Sequence, residues 1–150
     1  IGAIPRLLDI GILPDIMAGN LIGIVAQRLI RILCPHCKTS YQPDDKERAL
    51  LGLCADDSTI LYRATGCPQC KQHGYQGRRA IMEILKMDSD FDDLIARRAT
   101  LRDLKACALE KGFRPLARDG IRRILQGQTS VAEVSRVIDL SDRISTGSQT

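Results

Sequence analysis

Cys34-Pro35-His36-Cys37 and Cys67-Pro68-Gln69-Cys70 bracket 29 residues of this 150-residue chain, two thiol pairs that share C-x-x-C spacing and a proline after the first cysteine. Two intervening residues let a tight turn point both sulfurs inward. A second pair alongside completes a tetrahedron, the arrangement suited to Zn²⁺ with Zn–S bonds of about 2.3 Å. The proline holds φ near about −65°, which favours that turn. The alternatives are a thioredoxin-like redox pair, two disulfides, or thiols in a core. Two knuckles fit a single redox pair poorly, and nothing upstream resembles a signal peptide that would send the chain to an oxidising compartment. The spacing therefore predicts one structural Zn²⁺ with Cys34, Cys37, Cys67 and Cys70 as ligands. His36 and His73, within and just beyond the knuckles, are candidates for a stray ligand or for a donor to the ligating sulfurs, although four cysteines already fill a four-coordinate site. Cys54 and Cys107 have no partner at ligand spacing and read as small apolar residues.

Composition sets the outer bounds. With 44% hydrophobic and 27% charged residues the chain is of ordinary globular type, able to form one domain or a domain fragment with a small satellite. Aromatic residues make up 3% and tryptophan is absent, so the core is aliphatic and stacking platforms for single-stranded nucleic acid are scarce. The net charge of +4 reads as spread along the chain, which also argues against a nucleic-acid partner. No apolar run reaches the roughly 18 residues that span a bilayer. Ile1 stands within what reads as a helix, so the expectation is of a piece excised from something longer.

Outward from the cysteines, Leu21 to Leu33 (LIGIVAQRLIRIL) is apolar on both alternating faces and rich in Ile and Val, interrupted only by Gln27, Arg28 and Arg31. Such a run is a buried strand or a buried helix, and its β-branched content favours a strand covered on both faces. Gln27 and Arg28 then face opposite sides, either as a solvated strand end or as a contact to a nucleotide or a neighbouring subunit. Upstream, Ile4, Leu7, Leu8 and Ile10 space a short helix that Gly11 ends, and Pro14 opens a brief turn through Ala18. Within the excursion, Asp44-x-x-Glu47 starts a helix that Gly52 stops, Ile60 to Arg63 is a short strand, and Gly74 to Gly77 is a turn leading to a strand over Arg78 to Leu85. Downstream, Ser89-x-x-Asp92, Thr100-x-x-Asp103 and Ser130-x-x-Glu133 announce three helix starts, and Pro115 marks a fourth at its first turn. Gly112 and Gly127 stand at helix ends, and the residues from Ser141 read as a disordered tail.

The sequence has no G-x-x-x-x-G-K-[ST] phosphate loop, no G-x-G-x-x-G fingerprint and no Ser/His/Asp or Cys/His nucleophile arrangement. The segments that remain distinctive are LIGIVAQRLIRILCPHC from Leu21, LYRATGCPQCKQHGYQGR from Leu61 with its continuation AIMEIL, and Arg118-Asp119-Gly120 followed by Gly127 and VAEVSRV. Together these resemble the C-terminal part of the type II secretion traffic ATPases and, next to them, the type IV pilus assembly ATPases. The resemblance covers roughly residues 1 to 139. It departs at Arg79 to Ile84, where relatives commonly read T-G-I-Y-E-L, and in the final tail.

The resemblance implies an α/β fragment of a RecA-like domain with an inserted tetracysteine zinc lobe and a C-terminal α-helical subdomain. Residues 1–33 would be the edge of the RecA-like ATPase domain, 34–77 the zinc-binding lobe, 78–87 a returning strand, 88–140 the helical subdomain and 141–150 the tail. It matches Cys34, Cys37, Cys67 and Cys70 to the family's zinc-binding cysteines. The phosphate loop and acidic magnesium motifs would lie upstream, so ATP and Mg²⁺ belong to the parent enzyme and this fragment alone should be inactive. The implied setting is a hexameric ring, cytoplasmic and peripheral to the inner membrane through secretion-platform proteins, that hydrolyses ATP to assemble a pseudopilus. The alternatives are a pilus-assembly ATPase fragment, a stand-alone zinc ribbon that binds nucleic acid or protein, or a redox sensor that uses the knuckles as switches.

Overall fold

A computed structural model describes residues 1–54 and 56–140, so the expected disordered tail lies outside the described residues. Seven helices and four strands alternate irregularly: α1 (Ala3–Asp9), α2 (Pro14–Met17), β1 (Gly23–Leu33), β2 (Thr39–Tyr41), α3 (Asp45–Leu51), β3 (Leu61–Arg63), β4 (Tyr75–Lys86), α4 (Ser89–Ala96), α5 (Leu101–Glu110), α6 (Leu116–Leu125) and α7 (Val131–Val137). β1 pairs with β4, and β2 pairs antiparallel with β3 with Tyr41 opposite Leu61.

Most start and stop signals act as the sequence predicts. Asp44 and Glu47 form a reciprocal capping box on α3, Thr100 and Asp103 do the same on α5, and Ser130 caps α7 by accepting from the Glu133 N–H. Two signals are displaced by one residue. α4 is capped by Asp88 rather than Ser89, its carboxylate accepting from the Phe91 N–H, and Pro115 stands at the cap of α6 rather than inside its first turn. β4 begins at Tyr75 because Gly77, at φ 82°, is taken up within the strand instead of ending a turn. β2, three residues long, carries too little periodicity to be read in advance.

The larger difference concerns β1. It is a strand, but it is not buried along its length: Ile30 is buried, and of the positions on the opposite parity only the terminal Leu33 is, while Val25 and Leu29 stay more than half exposed. The partner strand shows the same split, with Ile81 and Leu85 buried and Met82 and Ile84 exposed. In each strand only part of the apolar set is therefore hidden among the described residues.

The described chain packs as two units, one of residues 1–26 and 83–114, the other of residues 27–82 with the chain from Pro115 onward. The first unit buries Ile4, Met17, Leu85, Phe91, Leu94 and Leu104 among its core residues, with α4 packed on α2 and α5. Gly19 donates its N–H to Asp92, and Lys111 bridges Asp88 and Asp90 at the start of α4. The second unit builds its core from Ile30 of β1, Leu51 of α3, Leu61 of β3, Ile81 of β4 and the inner faces of α6 and α7. The excursion between the cysteine pairs and the last two helices therefore share one core.

Two contacts hold that second unit tightly. A Cβ on Gly120 of α6 would lie 2.7 Å from Cγ1 of Val134 on α7, so the helices touch where only hydrogen fits. The other contact is polar. Glu133, whose side chain is fully buried, receives the Arg31 backbone N–H at 3.0 Å, the Arg31 guanidinium at 2.8 Å and the Arg136 guanidinium at 2.8 Å. Arg31 also lies over the Tyr75 ring at 4.2 Å, and the Tyr75 hydroxyl meets that of Ser130 at 2.7 Å. Burial raises the Glu133 pKa, but the guanidiniums and the Arg31 N–H outweigh it and bring the group from 4.5 down to about 2.

Replacing Gly120→Ala should lower the stability of the second unit by about 1 kcal/mol, because overpacking against a stiff, buried valine outweighs the gain of roughly 1 kcal/mol in helix propensity. Urea unfolding of the variant at unchanged or higher midpoint would contradict this contact. For Glu133 the folded carboxylate titrates below the unfolded one, so its contribution is present above pH 4.5 and is lost as pH falls toward 2. The contribution is of order 3 kcal/mol. Glu133→Gln should therefore destabilise the chain at neutral pH and flatten the acid limb of its stability profile, as measured by thermal melts between pH 2 and 7.

Candidate metal centre

The four cysteines of the two knuckles converge. Their sulfurs all lie within 4.8 Å of one another, with Cys34 to Cys67 at 3.9 Å, Cys37 to Cys70 at 3.8 Å and Cys67 to Cys70 at 3.7 Å. A tetrahedron with metal–sulfur bonds of about 2.3 Å has edges of about 3.8 Å, so the donor set fits a four-coordinate thiophilic cation. Disulfides would need sulfurs at about 2.05 Å, far closer than these.

Local geometry sets each sulfur in place. Cys34 directly follows the buried end of β1, and its N–H donates to the Gly74 carbonyl at 3.0 Å. The Cys37 and Lys38 N–H groups both turn back to the Cys34 carbonyl, closing the first knuckle. The second is a single 3₁₀ turn over Pro68–Cys70. Lys71 and Gln72 follow with positive φ, then Gly74 at φ 73°. A side chain at Gly74 would collide with the Ala64 methyl at 2.6 Å, so glycine is required twice over, for its dihedral and for its size.

Backbone dipoles favour negative charge on one sulfur in particular. Cys70 Sγ accepts N–H groups from Cys67 at 3.2 Å and Gly74 at 3.1 Å. Burial alone raises its pKa, but these donors and the neighbouring thiols bring it below the usual thiol value. Burial pushes Cys37 upward, and its contacts with the other three thiols add to the rise.

The lobe is fastened to the helices beside it. Lys38 donates from Nζ to the Gly127 carbonyl at 3.0 Å while lying 4.4 Å from the Tyr62 ring, so one ammonium caps the end of α6 and stacks on the lobe. The Leu33 N–H donates to the Gln128 carbonyl, and Thr129 donates to the Arg31 carbonyl at 2.8 Å.

The remaining candidates lie elsewhere. His36 and His73 are exposed and do not belong to the sulfur cluster. Gln27 and Arg28 are both exposed, with Arg28 donating to the Gln27 carbonyl at 3.0 Å. Cys107 is half-buried against the core of the first unit, as a small apolar residue would be. Cys54 is exposed in a loop and so is not a core residue. Sequence reasoning missed Glu133, which it took as a helix-start marker. Three carboxylate-to-cap signals look alike in sequence, and only burial separates this one from the others. Among the described residues no helix is long and apolar enough to cross a membrane.

Comparison with known proteins matches residues 1–136 to the family described as Type II/IV secretion system protein. The chain is 44% identical over 138 residues to the type II secretion system protein E of Pseudomonas aeruginosa, covering 91% of this chain and 27% of that protein. It is 43% identical over 141 residues to the type II secretion system ATPase E of Vibrio cholerae, with the same two coverages. Against the type IV pilus assembly ATPase TfpB of Acinetobacter baylyi the identity is 39% over 144 residues, covering 93% of this chain and 24% of that protein. The chain thus spans about a quarter of the length of these relatives. Its match over residues 1–136 makes it a member of the type II/IV secretion system protein family.

Proposed function

We propose that Cys34, Cys37, Cys67 and Cys70 hold one structural Zn²⁺, and that the chain supplies the metal-stapled lobe and adjoining helices of an ATP-hydrolysing motor for type II protein secretion. The observation that carries the metal reading is the set of sulfur separations, 3.7 to 3.9 Å along the measured edges, which are those of a tetrahedral four-thiolate site. Zinc bound there would act as a cross-link between the end of β1 and the start of β4, with no catalytic part. The N–H groups on Cys70 would offset thiolate charge at one corner, and Lys38 would hold the lobe against the end of α6. The sequence carries no G-x-x-x-x-G-K-[ST] phosphate loop, so this reading gives ATP and Mg²⁺ to the remainder of a polypeptide of the relatives' length.

The secretion setting is supported by the relatives, of which the two type II secretion proteins are 44% and 43% identical and the pilus-assembly protein 39%. A RecA-like edge over residues 1–33 is supported by the same relatives, whose match runs through these residues. In this reading the complete motor is a cytoplasmic hexamer, attached to the inner membrane through platform proteins.

Elemental analysis of the purified chain should give one equivalent of zinc, and Cys34→Ser combined with Cys67→Ser should abolish it. Metal-free wild-type protein that is fully folded would overturn the reading. Structural zinc contributes of order 10 kcal/mol in small domains, so chelation should raise hydrogen exchange across the second unit, α6 and α7 included, because they share its core. The amides of α4 and α5 should keep their protection. Protected α6 and α7 amides in the chelated protein would contradict the shared core. The 150-residue chain alone should not turn over ATP, and hydrolysis at the rate of a complete motor would refute its place as a non-catalytic part.

A further inference from the structure

The positive charge is not spread evenly, as the sequence suggested. Outside residues 44–57, the described part of the second unit holds eleven Lys and Arg but only Asp119, Glu133 and Asp139 as acids. None of the three is a free carboxylate facing the surplus. Glu133 is closed between Arg31 and Arg136, and Asp119 takes Arg122 on one oxygen and the Met82 backbone N–H on the other at 3.2 Å.

Around Asp119 the surplus concentrates. Arg79 of β4 and Arg123 of α6 both donate to one atom, Gln128 Oε1, at 3.1 and 3.2 Å. Gln128 in turn donates to Gln126. Arg123 Nε lies 3.6 Å from Asp119, too long for a hydrogen bond, and has no other partner. Arg79, Gln128, Arg123, Asp119 and Arg122 thus form one connected surface cluster with three guanidiniums and a single carboxylate. Arg79 and Arg122 are exposed, and so are Arg78 and Arg118 beside them in the chain.

Guanidiniums drawn together on a neutral amide oxygen repel one another unless an outside anion joins them. The cationic members are all arginine, whose planar fork pairs bidentately with carboxylates and phosphates, where a site for diffuse negative charge would serve as well with lysine. Gln126 and Gln128 add amide groups that match a peptide backbone. The second unit has no tryptophan or phenylalanine, and Tyr62, which lies against Gly127, already carries Lys38 over its ring at 4.4 Å, which leaves little to stack on bases. We infer that the surface formed by Arg79, Arg122, Arg123 and Gln128 docks a glutamate- or aspartate-rich segment of a partner protein. The inference is independent of metal binding and of nucleotide chemistry.

The test is fluorescence anisotropy of a labelled peptide of alternating glutamate and serine with the zinc-loaded chain in about 50 mM salt. Binding should be seen, should vanish by about 500 mM salt, and should weaken about tenfold in the double variant Arg79→Gln, Arg122→Gln, the scale of lost charge-assisted hydrogen bonds. The control double variant Arg6→Gln, Arg102→Gln removes the same charge from the first unit and should change affinity by less than about twofold. Matching thermal melts of the two variants would show that the fold is kept. No binding, or equal weakening by the control pair, would overturn the proposal. Tighter capture by phosphatidylglycerol vesicles or by single-stranded DNA through the same arginines would overturn it in favour of a membrane or nucleic-acid surface.

Discussion

The excursion between the two cysteine pairs has no core to itself, and that constraint governs the second unit. Leu51 and Leu61 are 3% and 0% exposed only because α6 and α7, from the far end of the chain, lie against them. A piece of this size buries too little apolar surface to stand alone. With a metal bound as proposed, the sulfur cluster would be one of two fastenings, the other being the helix pair. Every polar contact between them serves the same end: Lys38 on the α6 carboxyl end, Thr129 on the Arg31 carbonyl, and Arg31 on Glu133.

Glu133 is the costliest of these groups to bury and the most specific. An isolated buried carboxylate is strongly disfavoured, and here desolvation is offset only when strand β1 and helix α7 are in register. A one-residue slip of β1 would turn Arg31 to the other face of the ribbon and leave the charge unpaired. The network therefore selects one arrangement of strand and helix, which hydrophobic contact between Ile30 and the inner face of α7 would not do by itself.

Much of this was legible beforehand, for identifiable reasons. The knuckles, the capping boxes at Asp44 and Thr100, the strand nature of β1 and the glycines closing helices are local signals carried by neighbouring residues. The cover on β1 was misjudged because alternation reports which positions are apolar, and whether a second layer exists depends on distant chain. The Asp88 cap was misplaced by one residue because Asp88 and Ser89 are both good caps and only backbone geometry chooses. The convergence of the four cysteines was readable as a spacing, yet Gly74's tight fit against Ala64 and the clamp of Lys38 join residues that sequence order keeps apart. Charge was the reading most misled by order along the chain: a count of +4 conceals a neutralised α3 region and an arginine surface assembled from β4 and α6.

The second unit is discontinuous, interrupted by the whole of residues 83–114. Its contacts between Arg31 and Glu133 join positions 102 apart, a separation that makes closure slow and late. During synthesis the first unit has all its residues as soon as Arg114 is made, while the sulfur-bearing lobe has emerged but still lacks its covering helices. Its apolar side must then wait, open, until α6 and α7 arrive, and any cation captured early by the four cysteines would keep that waiting intermediate compact.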